Sequence, residues 1–143
     1  MSQRVDLDLL TELKEYGAIN TESCINCGNC TAICPLTSDE HPFPRDMIRF
    51  AQLGLKDRIL ESTDPWQCYY CGQCTETCPR GAEPAETMMA IRRWVTAQYD
   101  VSGHSARLYK SGRAVANTVL RYAGLTLLLF VLYHVLTNGD NIV

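Results

Sequence analysis

The sequence lacks the signatures of several large protein classes. It contains no Gly-x-Gly-x-x-Gly dinucleotide motif, no P-loop, and no spacing of Ser, His and Asp that is typical of a hydrolase. It has no Lys/Arg tract, and 13 basic against 16 acidic residues leave a formal net charge of −3. That charge is too small to indicate a nucleic-acid partner. Alternating runs of Val, Ile or Thr are missing as well, so we expect no β-rich fold.

The N-terminal segment also lacks the apolar stretch of a secretory signal. Its first residues, MSQRVDLDLL, already carry three charged side chains. We therefore expect a reducing compartment, in which disulfide bonds are rare. This expectation matters because 8 of the 143 residues are cysteine. Metal ligation or reactive thiols then remain as explanations of the cysteine content.

What the sequence does contain is one cysteine pattern that occurs twice. The two runs are Cys24-x2-Cys27-x2-Cys30-x3-Cys34-Pro35 and Cys68-x2-Cys71-x2-Cys74-x3-Cys78-Pro79. This spacing is typical of bacterial-type proteins with two [4Fe–4S] clusters, in which the fourth Cys of each run ligates the other cluster. The prediction is therefore two [4Fe–4S] clusters with exchanged fourth ligands. Cluster 1 is assigned to Cys24, Cys27, Cys30 and Cys78, and cluster 2 to Cys68, Cys71, Cys74 and Cys34.

Zinc and disulfide bonds are the alternatives for these cysteines. Structural zinc sites usually combine two distant Cys-x-x-Cys pairs, and a third closely spaced Cys has no role in such a site. A disulfide framework conflicts with a reducing compartment. Two clusters use all eight thiols, so none remains for nucleophilic or dithiol chemistry. Since no substrate site is visible either, we expect a protein that passes electrons and leaves catalysis to another chain.

Helical spacing of apolar residues covers much of the remaining chain. Helices are predicted over residues 6–16, 44–53, 55–61 and 85–98, with the two cysteine runs as loops between them. Two of these helical patterns lie between Cys34 and Cys68, where small two-cluster ferredoxins have short strands and turns. The expected fold class is therefore all-α. The expected organisation is an α-helical ferredoxin domain over residues 1–100, a basic linker over 101–113 and a hydrophobic helix over 114–138.

The hydrophobic helix predicts an association with a membrane. Residues 122–139 are 18 residues without a full charge, and residues 114–137 contain Arg121 as their single charged side chain. A transmembrane helix needs about 20 apolar residues. The segment is apolar all round, which disfavours a helix lying flat on the bilayer and leaves burial among partner subunits as the alternative. Basic residues precede the segment, which places the cluster domain on the cytoplasmic side. His134 is a candidate haem ligand, although a lone polar residue near a helix end needs no such role.

Further segments make the sequence similar to one family of iron–sulfur proteins. Besides the cysteine runs, these segments are Tyr16-Gly17, His41-Pro42-Phe43-Pro44-Arg45, Trp66-Gln67-Cys68, and Cys78-Pro79-Arg80-Gly81 with Pro84. Over about residues 5–113 the chain resembles the C subunit of heterodisulfide reductase and the related N-terminal domain of membrane subunits of quinone-interacting oxidoreductases. The cysteine-rich motif of the heterodisulfide-reducing subunit is absent.

The resemblance implies a non-catalytic electron-transfer subunit of an oxidoreductase complex. Such a subunit relays electrons between a soluble catalytic partner and a quinone- or haem-binding membrane subunit of a respiratory complex. The expected location is then the cell membrane. The alternative is a soluble cytoplasmic complex of the same kind, in which the hydrophobic tail is docked on a partner.

Overall fold

The structure, a computed structural model, describes residues 5–138 and contains helices but no strand in that part of the chain. The helices are α1 (Leu9–Glu15), α2 (Asn29–Ile33), α3 (Arg45–Gln52), α4 (Lys56–Glu61), α5 (Asp64–Gln67), α6 (Gln73–Glu76), α7 (Pro84–Tyr99), α8 (His104–Lys110) and α9 (Gly112–Asn138). A 3-10 turn covers Thr21–Ser23. The predicted all-α fold class is confirmed. The chain divides into two compact units, residues 1–106 and 107–143, which are described separately.

The core of the first unit is built around α7, which packs against α1, α3, α4, α5 and α6. Apolar residues recur along α7 at the three- and four-residue spacing of one helical face, and Met88, Ile91 and Trp94 on that face are fully buried. Leu9 and Leu13 of α1 meet them in the same cluster. Burial of a side chain of this size contributes about 1.5–3 kcal/mol each, so this face holds the first unit together.

The N-terminal segment is fixed to the turn after α3 by a close backbone approach. Asp6 N–H donates to the carbonyl oxygen of Gly54 at 2.9 Å. Gly54 has a φ of +69°, and a Cβ atom added to it would lie 2.0 Å from the carbonyl oxygen of Asp6. Lys56 Nζ then pairs with a carboxylate oxygen of Asp6 at 2.8 Å and one of Glu12 at 2.7 Å. Only a glycine allows the two segments to come this close.

The sequence predicted both cysteine runs as loops. This prediction was wrong in part, because each run contains a short helix. These helices are α2 in the first run and α6 in the second. A further short helix, α5, precedes Cys68. Helices of four or five residues make little more than one turn, so they have no repeating apolar face that a sequence pattern can reveal.

The second unit consists mainly of α9. Its segment Gly112–Thr137 has 26 residues and a mean hydropathy of 1.8, and none of its most apolar stretch is buried. At 1.5 Å per residue this segment is about 39 Å long, which exceeds the hydrocarbon core of a bilayer, about 30 Å. The helix is therefore long and apolar enough to cross a membrane.

Candidate metal centre

The two cysteine segments share one backbone conformation. The second residue after the first Cys has a positive φ in both segments, +56° at Asn26 and +57° at Tyr70. The Gly that precedes the short helix does too, with φ of +89° at Gly28 and +79° at Gly72. Left-handed residues other than glycine are uncommon. Their recurrence at equivalent positions shows that the repeated spacing forms a repeated structure.

The two segments also pack against each other. Helix α2 of the first segment contacts α6 of the second. The side-chain amide of Asn29 donates to the carbonyl oxygen of Thr77 at 2.6 Å, which joins the ends of these helices. As a result, the last Cys of each run lies beside the first three of the other run.

One cavity, called cage 1 here, is lined by Cys24, Cys27, Cys30 and Cys78. Two backbone N–H groups donate to its sulfur atoms at 3.4 Å, that of Asn26 to Cys24 Sγ and that of Ala82 to Cys78 Sγ. Hydrogen bonds of this kind to sulfur are one of the ways in which a protein adjusts an iron–sulfur cluster.

The second cavity, cage 2, is lined by Cys34, Cys68, Cys71 and Cys74 and is similar in size to cage 1. Tyr69 and Tyr70 also line it. Partial desolvation of its hydroxyl, together with the nearby Cys71 thiol, raises the pKa of Tyr69. The Tyr70 hydroxyl donates to the carboxylate of Glu86, which fixes that ring at the edge of the cavity.

The structure therefore brings all eight predicted ligands together as two groups of four. Each cage contains three thiols from one run and the fourth from the other run, which is the grouping that the spacing predicted. The ligation of clusters by these groups stays a prediction.

The electrostatics of the thiols favour a positively charged centre in each cage. Burial, followed by the neighbouring thiol of Cys24, raises the pKa of Cys30. Burial raises the pKa of Cys34 as well. Burial and the surrounding thiols, that of Cys30 foremost, raise the pKa of Cys74 to about 11. Four thiolates in one cavity repel each other, so bound metal is what stabilises their deprotonated form.

The donor set fits an iron–sulfur cluster. Thiolates are soft ligands that bind iron–sulfur clusters, zinc and Cu(I). A single zinc ion binds all of its thiolate sulfurs at a Zn–S distance of about 2.3 Å. In a cubane, each thiolate binds a different iron at a separate corner. Within residues 5–138 no three His, Cys, Asp or Glu side chains converge closely enough to hold one metal ion. Four thiols that surround one cavity without meeting at a point agree with a cluster, in which each of four irons takes one thiolate.

Two further side chains hold the cysteine segments in place, and sequence reasoning missed both. Gln52 at the end of α3 donates to the carbonyl oxygen of Cys24 at 2.8 Å and accepts a bond from the Asn26 amide at 2.7 Å. Arg92 of α7 donates to the carbonyl oxygens of Pro65, at 2.8 Å, and of Cys68. Each thus anchors the first Cys of one run. A polar residue on a helix carries no sequence signal for such a distant contact.

His134 lies on α9, with its ring centroid 6.0 Å from that of Phe130. The side chain is exposed. A role as a haem ligand stays a prediction.

Comparisons with known proteins agree with this geometry. The sequence profile of a 4Fe-4S dicluster domain matches residues 23–83. A protein of Archaeoglobus profundus that is named as similar to the C subunit of heterodisulfide reductase is 37% identical over 108 residues, which are 72% of this chain and 57% of that protein. The iron-sulfur C subunit of the CoB–CoM heterodisulfide reductase of Methanopyrus kandleri is 30% identical over 120 residues, which are 80% of this chain and 59% of that protein.

A shorter match links the chain to a third relative. The C subunit of the H2:CoB-CoM heterodisulfide,ferredoxin reductase of Methanothermobacter marburgensis is 34% identical over 64 residues, which are 45% of this chain and 35% of that protein. The chain thus spans little more than half the length of the curated relatives from Archaeoglobus profundus and Methanopyrus kandleri.

Proposed function

We propose that this chain, which belongs to the heterodisulfide reductase C-like iron–sulfur proteins, holds two [4Fe–4S] clusters and passes single electrons between partner subunits. Cluster 1 occupies cage 1 and cluster 2 occupies cage 2. The observation that carries the proposal is the pair of cavities with four cysteines each. All eight thiols are committed to ligation, so the chemistry on a substrate takes place in a partner.

The residues of the chain have separate tasks in this function. The eight thiolates bind iron, and the clusters supply reversible one-electron redox chemistry. Gln52 and Arg92 keep the first Cys of each run in position through its backbone carbonyl. The N–H groups of Asn26 and Ala82 stabilise negative charge on the sulfurs of cage 1. Packing of α2 against α6 keeps the two cages adjacent, which short-range electron transfer needs.

The exchanged ligation is tested with two reciprocal variants of the full chain, Cys34→Ser and Cys78→Ser. Each is reconstituted anaerobically in detergent and treated with a thiol alkylating reagent, and the alkylated cysteines are located by mass spectrometry. In Cys34→Ser we expect alkylation of the remaining thiols of cage 2 and protection of cage 1. In Cys78→Ser the pattern reverses. Iron content falls from about eight to about four per chain in both variants, because each loses one cubane.

Two results contradict the ligand assignment. If Cys34→Ser exposes the other cysteines of its own run instead, each run binds its own cluster. If the unmodified chain contains zinc, or iron well below about eight per chain without matching acid-labile sulfide, the chain does not hold two clusters.

We also propose that α9 anchors the chain in the cell membrane, with the cluster unit on the cytoplasmic side. Support comes from the apolar segment Gly112–Thr137, which is exposed throughout its most apolar stretch. Arg107, Lys110 and Arg113 precede or open this segment, in keeping with the positive-inside tendency. The relatives are named as subunits of heterodisulfide reductases. On that basis we place the chain between a soluble catalytic partner and a membrane subunit that binds quinone or haem.

The anchor is tested by extraction of membranes with alkaline carbonate. We expect the full chain to stay with the membrane until detergent is added. Leu128→Arg puts a charge near the middle of the apolar segment, at a cost of about 2.5–3.5 kcal/mol, and should reduce the membrane-bound fraction. Val115→Arg puts the same charge near the end of the apolar segment and should leave the membrane-bound fraction unchanged. Release of the unmodified chain by carbonate alone contradicts the anchor and favours a soluble complex in which α9 is docked on a partner.

A further inference from the structure

The two cages differ in the charge of the side chains that line them. Arg45 and Arg80 line cage 1. In the described part of the chain, cage 2 is lined by apolar, aromatic and neutral polar residues and by no charged side chain. The cages otherwise resemble each other in thiol number, loop conformation and size. The arginines are thus the difference in formal charge between the linings of the two cages.

Both arginines are available to act on cage 1. Within residues 5–138, neither has a carboxylate within 4 Å or a hydrogen-bond partner, so their charge is not neutralised locally. Arg45 is half-buried, and its Nη1 atom would lie 3.6 Å from a Cβ atom added to Gly28, which stands between Cys27 and Cys30. Its guanidinium therefore lies against the loop that supplies three of the four thiols.

The repeat gives an internal comparison for the second arginine. Arg80 follows Cys78 by two residues, and Leu36 follows Cys34 by two residues. Arg80 lines cage 1, and Leu36 lines cage 2. Equivalent positions of the repeat thus place a cation beside one cage and an apolar side chain beside the other.

Two charged side chains of opposite sign contact the segment around cage 2 but do not line the cavity. The guanidinium of Arg92 is bound to the carbonyl oxygens of Pro65 and Cys68, and the carboxylate of Glu86 accepts the Tyr70 hydroxyl. One is positive and the other negative, so their effects on the charge of a cluster in cage 2 oppose each other. Reduction adds one negative charge to a cluster, and an unpaired cation a short distance away favours that charge.

We propose that Arg45 and Arg80 give the cluster of cage 1 the higher reduction potential, so that an electron on the protein passes from cage 2 to cage 1 and rests there. This inference rests on the proposed function. The step is balanced within the chain: one electron leaves the cluster of cage 2, the same electron reduces the cluster of cage 1, and neither a proton nor a third reactant is needed.

The experiment measures reduction potentials in reconstituted full chain in detergent, by redox titration followed with electron paramagnetic resonance. The Cys34→Ser chain keeps only the cluster of cage 1, and the Cys78→Ser chain keeps only the cluster of cage 2. The reduction potential of each cluster is therefore measured without the other. We expect cage 1 to be reduced at the higher potential. Arg45→Gln and Arg80→Leu, introduced into the Cys34→Ser chain, should lower that potential. At a fixed solution potential, the two arginine substitutions together should change the ratio of reduced to oxidised cluster at least tenfold. For one electron, a tenfold change corresponds to a shift in reduction potential of about 59 mV.

Two control variants separate this inference from simpler explanations. Arg49→Gln removes an exposed cation of α3 that lines neither cage, so it changes the net charge equally and should leave both potentials nearly unchanged. Arg45→Lys keeps the positive charge, so the reduction potential of cage 1 should stay close to that of the chain with Arg45 and well above that of Arg45→Gln.

The outcomes distinguish the inference from the proposed function. Iron content near eight per chain in the unmodified protein, with the alkylation pattern expected above, establishes the two clusters. If cage 2 then has the higher potential, or if Arg49→Gln shifts cage 1 as much as Arg45→Gln does, the inference is overturned and the proposed function stands. A chain with fewer than two clusters overturns both.

Discussion

Gly54 is the position at which one added methyl group should do most damage to the first unit. A Cβ atom there would lie 2.0 Å from the carbonyl oxygen of Asp6, and ordinary van der Waals contact begins at 3.4 Å. The two backbone segments would have to separate by about 1.4 Å in Gly54→Ala, because backbone atoms have no alternative rotamer. Separation breaks the hydrogen bond from Asp6 N–H to Gly54, which is 2.9 Å long.

The expected loss follows from two contributions. The left-handed φ of +69° costs an alanine about 1–2 kcal/mol, and the lost hydrogen bond costs about 0.5–1.5 kcal/mol. Opening of the segment 5–16 should therefore become easier by about 1.5–3.5 kcal/mol, which is tenfold or more in the opening equilibrium. Gly103 is a matched control, since its φ is +67° and an added Cβ meets no atom within 4 Å. Gly103→Ala should cost the backbone strain alone, at its own site.

Amide hydrogen exchange followed by mass spectrometry measures these local openings in the cluster-bound full chain. We expect peptides from residues 5–16 to exchange at least tenfold faster in Gly54→Ala and to remain unchanged in Gly103→Ala. The close approach is refuted if residues 5–16 keep their protection in Gly54→Ala. It is also refuted if the loss there is no larger than the loss around residue 103 in the control.

Two further predictions concern buried and exposed hydrogen bonds of the first unit. The buried hydroxyls of Thr21 and Thr87 are 2.7 Å apart, and that of Thr87 also reaches the carbonyl oxygen of Glu83. Thr87→Val leaves the Thr21 hydroxyl without this partner and should destabilise the protein by about 1–3 kcal/mol. Thr21→Val should destabilise the protein less than Thr87→Val does. Urea unfolding followed by tryptophan fluorescence measures both losses, and a larger loss in Thr21→Val would contradict the prediction. Hydrogen bonds from Ser102 and Ser105 lower the pKa of Asp100. The stabilisation of the folded protein by the ionised Asp100 carboxylate is therefore fully present above the pKa of an unfolded Asp, about 3.9. It is lost as the pH falls through the lower pKa of Asp100 in the folded protein. Asp100→Asn should therefore speed exchange in α8 at pH 7, and unchanged exchange in α8 of this variant would argue against the role.

The cysteine groups were predictable because the spacing in both runs matches a known two-cluster pattern with exchanged fourth ligands. The structure brings the thiols together in the same two groups, and their ligation of clusters stays a prediction. The helix α7 was predictable for the same reason, since its buried face repeats along a continuous segment. Both predictions start from a pattern that is visible within a continuous segment of the sequence.

The contacts that position the cages were not predictable, because they join residues far apart in the chain. Gln52 reaches Cys24 across 28 residues, and Arg92 reaches Cys68 across 24. The fit of Gly54 against Asp6 is of this kind too. No periodicity records such contacts, and a side chain that serves them looks like any exposed polar residue until the fold is known.

The exchange of the fourth cysteine has a consequence for the chain while it is being synthesised. Cage 2 has no complete set of thiols until Cys74 has been made, and cage 1 has none until Cys78 has been made. A nascent chain that ends before these residues exposes groups of three thiols at most. Both cages then become complete within four residues of each other, so under the proposed ligation iron delivery to both sites belongs to one stage, after Cys78 has been made.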